Sequence, residues 1–231
     1  MADRPVIEAR SLCRTFLPRG GGTSVQAVRE VSLAVHPGEI VVIAGPSGSG
    51  KTTLLQMLAV IDSPTSGDLL IEGGRTNDLK RAEKAAIRLR RLGLVFSEHN
   101  LSPALTAAEN VDLPLALMGL DRAERARRVD GALARLGVAA LANRFPDGLS
   151  SGEQQRVAVA RAVAGDPAAL IADEPTVHLD SDAAQSFLDL LAELVAERGV
   201  VAVVASHDPA VIERAQRVIR LRAGAVVSEK G

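Results

Sequence analysis

Gly45-Pro46-Ser47-Gly48-Ser49-Gly50-Lys51-Thr52 decides how this chain is read. The stretch fits G-x-x-x-x-G-K-[ST], a loop whose backbone N–H groups wrap the phosphates of a nucleotide. Its flanks agree: Glu39-Ile40-Val41-Val42-Ile43-Ala44 reads as a buried strand, and Thr53-Leu54-Leu55-Gln56-Met57-Leu58 as the start of a helix. Glycine lets the backbone approach a phosphate closely, and the following helix points its positive end at the anion. Lys51 has the reach for the β- and γ-phosphates, and the Thr52 hydroxyl is a ligand for Mg²⁺. A bare glycine-rich turn has no need of Lys-Thr at its exit. The candidate phosphate-binding set is therefore Gly45, Pro46, Ser47, Gly48, Ser49, Gly50, Lys51 and Thr52, with Thr53 after it.

Bulk properties narrow the class. The 231 residues suffice for one large α/β domain, and 47% hydrophobic with 24% charged residues is ordinary for a globular protein. A formal charge of −1 gives no bulk attraction to nucleic acid or anionic lipid. Aromatics are 2%, with no Trp and no Tyr, so stacking platforms for single strands are nearly absent and no nucleic-acid partner is expected. The one cysteine, Cys13, has no internal disulfide partner; it reads as a small buried apolar residue in a reducing compartment. Met1-Ala2-Asp3-Arg4-Pro5 lacks the apolar core of a signal peptide. Runs such as Val200-Val201-Ala202-Val203-Val204-Ala205 fall far short of the roughly 20 residues that span a bilayer, so any membrane role needs a partner that supplies the span.

Along the chain, Val6 to Phe16 is expected as an edge strand, Leu17 to Gly22 as a loop and Val25 to Val35 as a second strand. Gly67 to Gly74 reads as a strand closed by a glycine turn, Leu79 to Arg91 as a basic helix with a solvated face, and Leu92 to Phe96 as a short strand. Helices follow over Thr106 to Met118 and Arg122 to Leu136, the second capped by Asp121. Gly148 to Gly152 reads as a loop before a helix from about Gln154 to Val163. Then come a strand (Ala169 to Ala172), a helix (Asp182 to Glu197), a strand (Val200 to Ala205), and a short helix with one or two closing strands. Alternating strands and helices predict an α/β fold around a mostly parallel sheet, with a helical insertion over about 97–148.

The strand Ala168-Ala169-Leu170-Ile171-Ala172 ends in Asp173-Glu174-Pro175. Beside a phosphate loop, a strand-end Asp holds Mg²⁺, usually through water, and an adjacent carboxylate orients or deprotonates the attacking water. Asp173 and Glu174 fit those two roles.

Here a resemblance becomes specific. Leu149-Ser150-Ser151-Gly152-Glu153-Gln154-Gln155-Arg156 is similar to the L-S-G-G-Q signature of the ABC ATPase family, and its distance to Ala172-Asp173-Glu174-Pro175-Thr176 is also as in that family. Ser206-His207-Asp208 resembles the family's switch histidine, Leu179-Asp180 its D-loop, and Phe16 its adenine-stacking aromatic. Pro64 to Gly67, Thr106 to Val111 and Ser206 to Pro209 look most like ATPases of lipoprotein-release and macrolide-exporter systems. The resemblance implies a single cassette over 1–231: a core from 1–96 and 149–231, an N-terminal antiparallel β subdomain within it, and the helical insertion. It implies ATP and Mg²⁺ as cofactors and a homodimer closing head to tail around two ATP molecules. Ser150, Gly152, Glu153 and Asp180 would serve the partner's nucleotide, and His207 the γ-phosphate. Integral-membrane permease subunits on separate chains are the implied partners, at the cytoplasmic face of the inner membrane.

Four positions in three motifs depart from the family. Ser97 stands where a glutamine usually reaches the metal and the attacking water; its side chain is shorter and lacks the amide. Ser151 replaces the first glycine of the signature, and Val177-His178 a smaller pair. Two alternatives stay open at this point. One is a regulatory ATP-dependent clamp with little hydrolysis. The other is a non-transport ABC ATPase, against which stand the missing coiled-coil insertion and second cassette.

Overall fold

The structure, a computed structural model, describes residues 4–17, 23–177, 179 and 181–231. Its centre is built from short runs of Val, Ile and Ala. Strands β3 (Ile40–Ala44) and β8 (Val201–Ala205) are buried at every position, and β7 (Ala169–Asp173) at all but the last. Continuous apolar runs of this kind belong to parallel strands covered on both faces. Alternate residues of β3 show the two faces: Val41 and Ile43 enter one core cluster, Ile40, Val42 and Ala44 the other.

The main sheet has six strands in the order β10-β9-β3-β8-β7-β6, adding β6 (Leu92–Val95), β9 (Arg217–Arg222) and β10 (Ala225–Lys230). All neighbours are parallel except β9 and β10. A second, antiparallel sheet runs β2-β1-β4-β5, from β1 (Ile7–Phe16), β2 (Val25–Val35), β4 (Ser66–Ile71) and β5 (Gly74–Arg75). Strand β1 is thus internal, paired with β2 and β4, which corrects the expectation of an edge strand. Cys13 on it is half-buried, and its Sγ accepts a hydrogen bond from the Glu30 N–H at 3.3 Å, so it is not a plain core residue.

Helix α1 (Lys51–Leu58) packs against this second sheet and the main one, burying Leu54, Leu55, Met57 and Leu58. At about 1.5–3 kcal/mol for each buried side chain, the four contribute roughly 6–12 kcal/mol of gross apolar stabilisation that holds the helix start in place. Helix α2 (Arg81–Arg91) precedes β6.

Between β6 and β7 every regular element is helical: α3 (Ala107–Leu117), α4 (Arg122–Arg135), two short 3₁₀ turns and α5 (Ser151–Ala164). Buried Asn110 orders the loop before α3, donating to the Ser102, Leu105 and Thr106 carbonyls and accepting from the Ser102 N–H. Thr106 and Glu109 form a capping box there, and Asp121 caps α4 as expected. Helix α6 (Ser181–Arg198) and the five-residue α7 (Pro209–Glu213) complete the layer on that face. The expected loop over Gly148 to Gly152 is corrected: α5 begins at Ser151, with Ser150 as its N-cap.

Candidate active site

The sheet order brings four strand ends to one edge: β3, β8, β7 and β6 are consecutive and parallel. Ligands of open α/β sheets sit beyond such carboxyl ends. The phosphate loop follows β3, His207 follows β8, Asp173 closes β7 and Glu174 comes next, and Ser97 lies just past β6.

The loop is shaped by contacts that exclude side chains. Gly50, the N-cap of α1, has φ +100°, and a Cβ there would lie 2.2 Å from the Ala27 carbonyl oxygen. A Cβ on Gly45 would lie 2.4 Å from the Leu221 carbonyl oxygen. The loop is therefore wedged between β2 and β9. Lys51 is buried, and its ammonium donates to the Gly45 carbonyl at 2.8 Å and the Pro46 carbonyl at 3.3 Å.

Glu174 is the hub of the strand ends. Its Oε1 lies 3.0 Å from His207 Nδ1 and 3.9 Å from Lys51 Nζ, and its Oε2 accepts a 3.4 Å hydrogen bond from the Ser206 hydroxyl. Its N–H donates to the Ala205 carbonyl. Its φ of +46° is rare for a residue with a long side chain, and such backbone strain persists where surrounding contacts over-determine it. Asp208 fixes the segment that carries His207. One carboxylate oxygen caps α7 through the Ala210 N–H, and the other accepts from the Thr176 hydroxyl.

Asp173 sits behind Thr52. Burial pushes its carboxyl above the usual carboxylate range, and the Glu174 charge adds to that; a hydrogen bond with Thr52 and the Lys51 charge act the other way. Its Oδ1 is buried with no hydrogen-bond partner. A buried carboxylate oxygen without a donor, next to a hydroxyl, is a hard-oxygen donor pair, so these residues fit Mg²⁺.

These groups open into a cleft of about 1040 Å³ walled by the whole phosphate loop, Thr52, Thr53, Glu174 and His207. Asp173, Ser97 and Phe16 are not among its walls, although Val25, which pairs with Phe16 across β1 and β2, is. Two segments of the wall were missed from sequence: Ser24 to Ala27 with Arg29 on β2, and the Ala223-Gly224 turn between β9 and β10. Gly224 donates to the Ser49 carbonyl at 2.9 Å and accepts from the Arg29 N–H at 2.8 Å, bracing the loop from a turn remote in sequence. Only the pairing of strands places that turn here, and no residue pattern signals it.

Ser150, Gly152 and Glu153 lie at the N-terminus of α5, away from the cleft walls. Ser150 and Glu153 are joined in a capping box: the Glu153 carboxylate accepts the Ser150 N–H at 2.7 Å and hydroxyl at 2.9 Å, and the Ser150 Oγ accepts the Glu153 N–H at 3.3 Å. Hydrogen bonds from Ser150 hold the Glu153 carboxyl below its ordinary range, helped by Arg156 and Arg144. Ser151 meets the segment after β6, its Oγ 3.5 Å from His99 Nε2, and Arg161 on the same helix donates to the His99 and Asn100 carbonyls. Asp180 and His178 lie outside the described residues.

A wedged phosphate loop with a strand-end carboxylate pair and a histidine at the ends of parallel strands defines a P-loop nucleotide hydrolase. Comparison with known proteins narrows this. The chain belongs to the ABC transporter family, whose model matches residues 28–177, and it is an ATPase of that class. It is 40% identical over 222 residues to the lipoprotein-releasing system ATP-binding protein LolD of Roseobacter denitrificans, covering 96% of this chain and 97% of that one. It is 41% identical to the macrolide export ATP-binding/permease protein MacB of Hyphomonas neptunium over 98% of this chain, but spans only 35% of that protein's length. Among solved structures, a dimeric post-hydrolysis state of the ATP-binding cassette MJ0796, bound to ADP and Pi, superposes with a TM-score of 0.92 at 38% identity, covering 97% of each chain. Among the described residues no helix is long and apolar enough to cross a membrane.

Proposed function

We propose that this chain is the ATP-hydrolysing subunit of a transporter, closing head to tail with a second copy around two Mg-ATP and driving separate integral-membrane permease subunits at the cytoplasmic face of the membrane. In this reading one cassette spans 1–231, with about 97–148 as its inserted helical part. The carrying observation is the contact of Glu174 with both His207 and Lys51 at the wall of the cleft lined by the phosphate loop.

The residues divide the work. Loop N–H groups and Lys51 bind the β- and γ-phosphates, Lys51 exchanging its contacts with the Gly45 and Pro46 carbonyls for phosphate oxygens. Thr52 and Asp173 hold Mg²⁺, which when bound neutralises charge on the phosphates. Glu174 accepts a proton from the attacking water, and His207, joined to it at 3.0 Å, keeps that carboxylate aimed while contacting the γ-phosphate. The α5 N-terminus does not wall its own chain's cleft, which supports its use by a partner cassette. Similarity to LolD and MacB supports a lipoprotein-release or exporter type of system.

The test is Glu174→Gln with light scattering and ATPase assays. Hydrolysis should fall about 10²–10⁴-fold, the usual worth of a positioned base, while ATP-dependent dimer persists because ATP is not consumed. Unchanged hydrolysis, or no dimer with ATP, would sink the proposal. A second reading, a clamp with little hydrolysis, draws on Ser97, which does not wall the cleft. Under it Ser97→Gln raises the basal or permease-stimulated rate; no change in either rejects it.

A further inference from the structure

Arg14 belongs to none of the motifs above, yet it sits between two parts of the nucleotide machinery. Its guanidinium carbon lies over the Phe16 ring, 4.7 Å from the ring centroid. Its Nε lies 2.8 Å from Asp62 Oδ2, and both side chains of that ion pair are about three-quarters buried, at 25% and 24% exposure. Asp62 is itself fixed just past α1: its Oδ1 accepts the Ser63 N–H at 2.8 Å, and its own N–H donates to the Gln56 carbonyl. A continuous line of contacts therefore runs from the end of the phosphate-loop helix through Asp62 and Arg14 to Phe16. The ring is 42% exposed, so one face carries the guanidinium and the ring still presents surface to solvent beside Val25, a wall of the cleft.

We propose that Arg14 is a positioning residue for the nucleobase: its guanidinium stacks on one face of Phe16, Asp62 pins it there, and the ring is held ready to stack a purine on its other face. The inference rests on Phe16 being the base platform. A lone ring at a strand end loses rotamer freedom when a base binds, and a ring already clamped has less to lose. A guanidinium suits this better than a lysine ammonium, because its delocalised charge can cover a ring face while it also pairs with a carboxylate.

The discriminating probe is inorganic tripolyphosphate, which meets the phosphate loop but carries no base. Equilibrium binding to the full chain is compared for ATP and tripolyphosphate. Arg14→Gln should weaken ATP about two- to fivefold, the size of a partly exposed cation–π contact, and leave tripolyphosphate unchanged. Asp62→Asn, which keeps Arg14 but unpins it, should weaken ATP in the same sense and by less. In a Phe16→Leu background Arg14→Gln should cost nothing further. Equal losses for both ligands, a loss that persists without the ring, or unchanged or tighter ATP binding in Arg14→Gln would each overturn the proposal. A Phe16→Leu protein that binds ATP as tightly as wild type would refute the base-platform reading itself, a result separate from any effect of Arg14.

Discussion

Asp208→Ala separates positioning of His207 from mere stability. The substitution removes two contacts: the cap of α7 through the Ala210 N–H at 2.9 Å, and acceptance of the Thr176 hydroxyl at 3.3 Å. A lost N-cap costs about 1 kcal/mol, and the long, weak second bond about 0.5, for about 1.5 kcal/mol together. For a chain of this size each kcal/mol moves Tm by about 2–4 °C, so thermal melting should show a drop of about 3–6 °C. Steady-state kinetics should show a lower kcat with little change in KM, because the phosphate loop is untouched while the His207–Glu174 contact loses its anchor. Asp208→Asn keeps an oxygen for the cap and should recover most of the melting temperature. A melting drop of the stated size with kcat unaltered would refute the claim that Asp208 positions His207.

Two further outcomes follow from the loop and from Asp173. Gly50→Ala places a Cβ 2.2 Å from the Ala27 carbonyl oxygen at φ +100°, so nucleotide affinity should fall by more than tenfold in a binding assay; a variant that binds like wild type would mean the loop is not wedged as described. Asp173 has its carboxyl raised by burial. A raised carboxyl favours the proton in the folded state, so without metal the ionised form is a stability penalty that is full above the raised value and fades as pH falls through it. Asp173→Asn should therefore melt higher than wild type at neutral pH without Mg²⁺, with the gap closing in acid, and should lose the stabilisation that Mg²⁺ with ATP gives wild type. A gap that does not depend on pH would contradict the burial argument.

How far the sequence announces all this depends on how local each cause is. Residues 39–58 form strand, loop and helix through neighbours a few positions apart, and the order of elements is as read, with the helix starting at Lys51, two residues before Thr53. The sequence alone points to an edge for β1 because its alternation is the same whether one or both sides are paired. Its second partner, β4, comes from about 60 residues further on. The helix expected from about Gln154 starts three residues earlier, at Ser151. Gly152 argued for a loop, but Ser150 and Glu153 form a capping box, which outweighs the roughly 1 kcal/mol that a helical glycine costs. Asp173 and Glu174 were legible as a pair, whereas the strained φ of Glu174 and its link to Ser206 exist only once β7 and β8 lie side by side.

The position of β3 in the sheet has a consequence for how the protein is made. The strand that launches the phosphate loop ends at Ala44, but both of its partners, β8 and β9, come from residues 201–222. The turn that braces Ser49 is later still, at Gly224. Until those residues leave the ribosome, the loop has neither flanking strands nor brace, and long-range closures of this kind form slowly. A nascent or prematurely terminated chain therefore carries the whole phosphate-loop motif without a formed nucleotide site. The capacity to bind ATP therefore waits on residues about 175 positions beyond the loop itself.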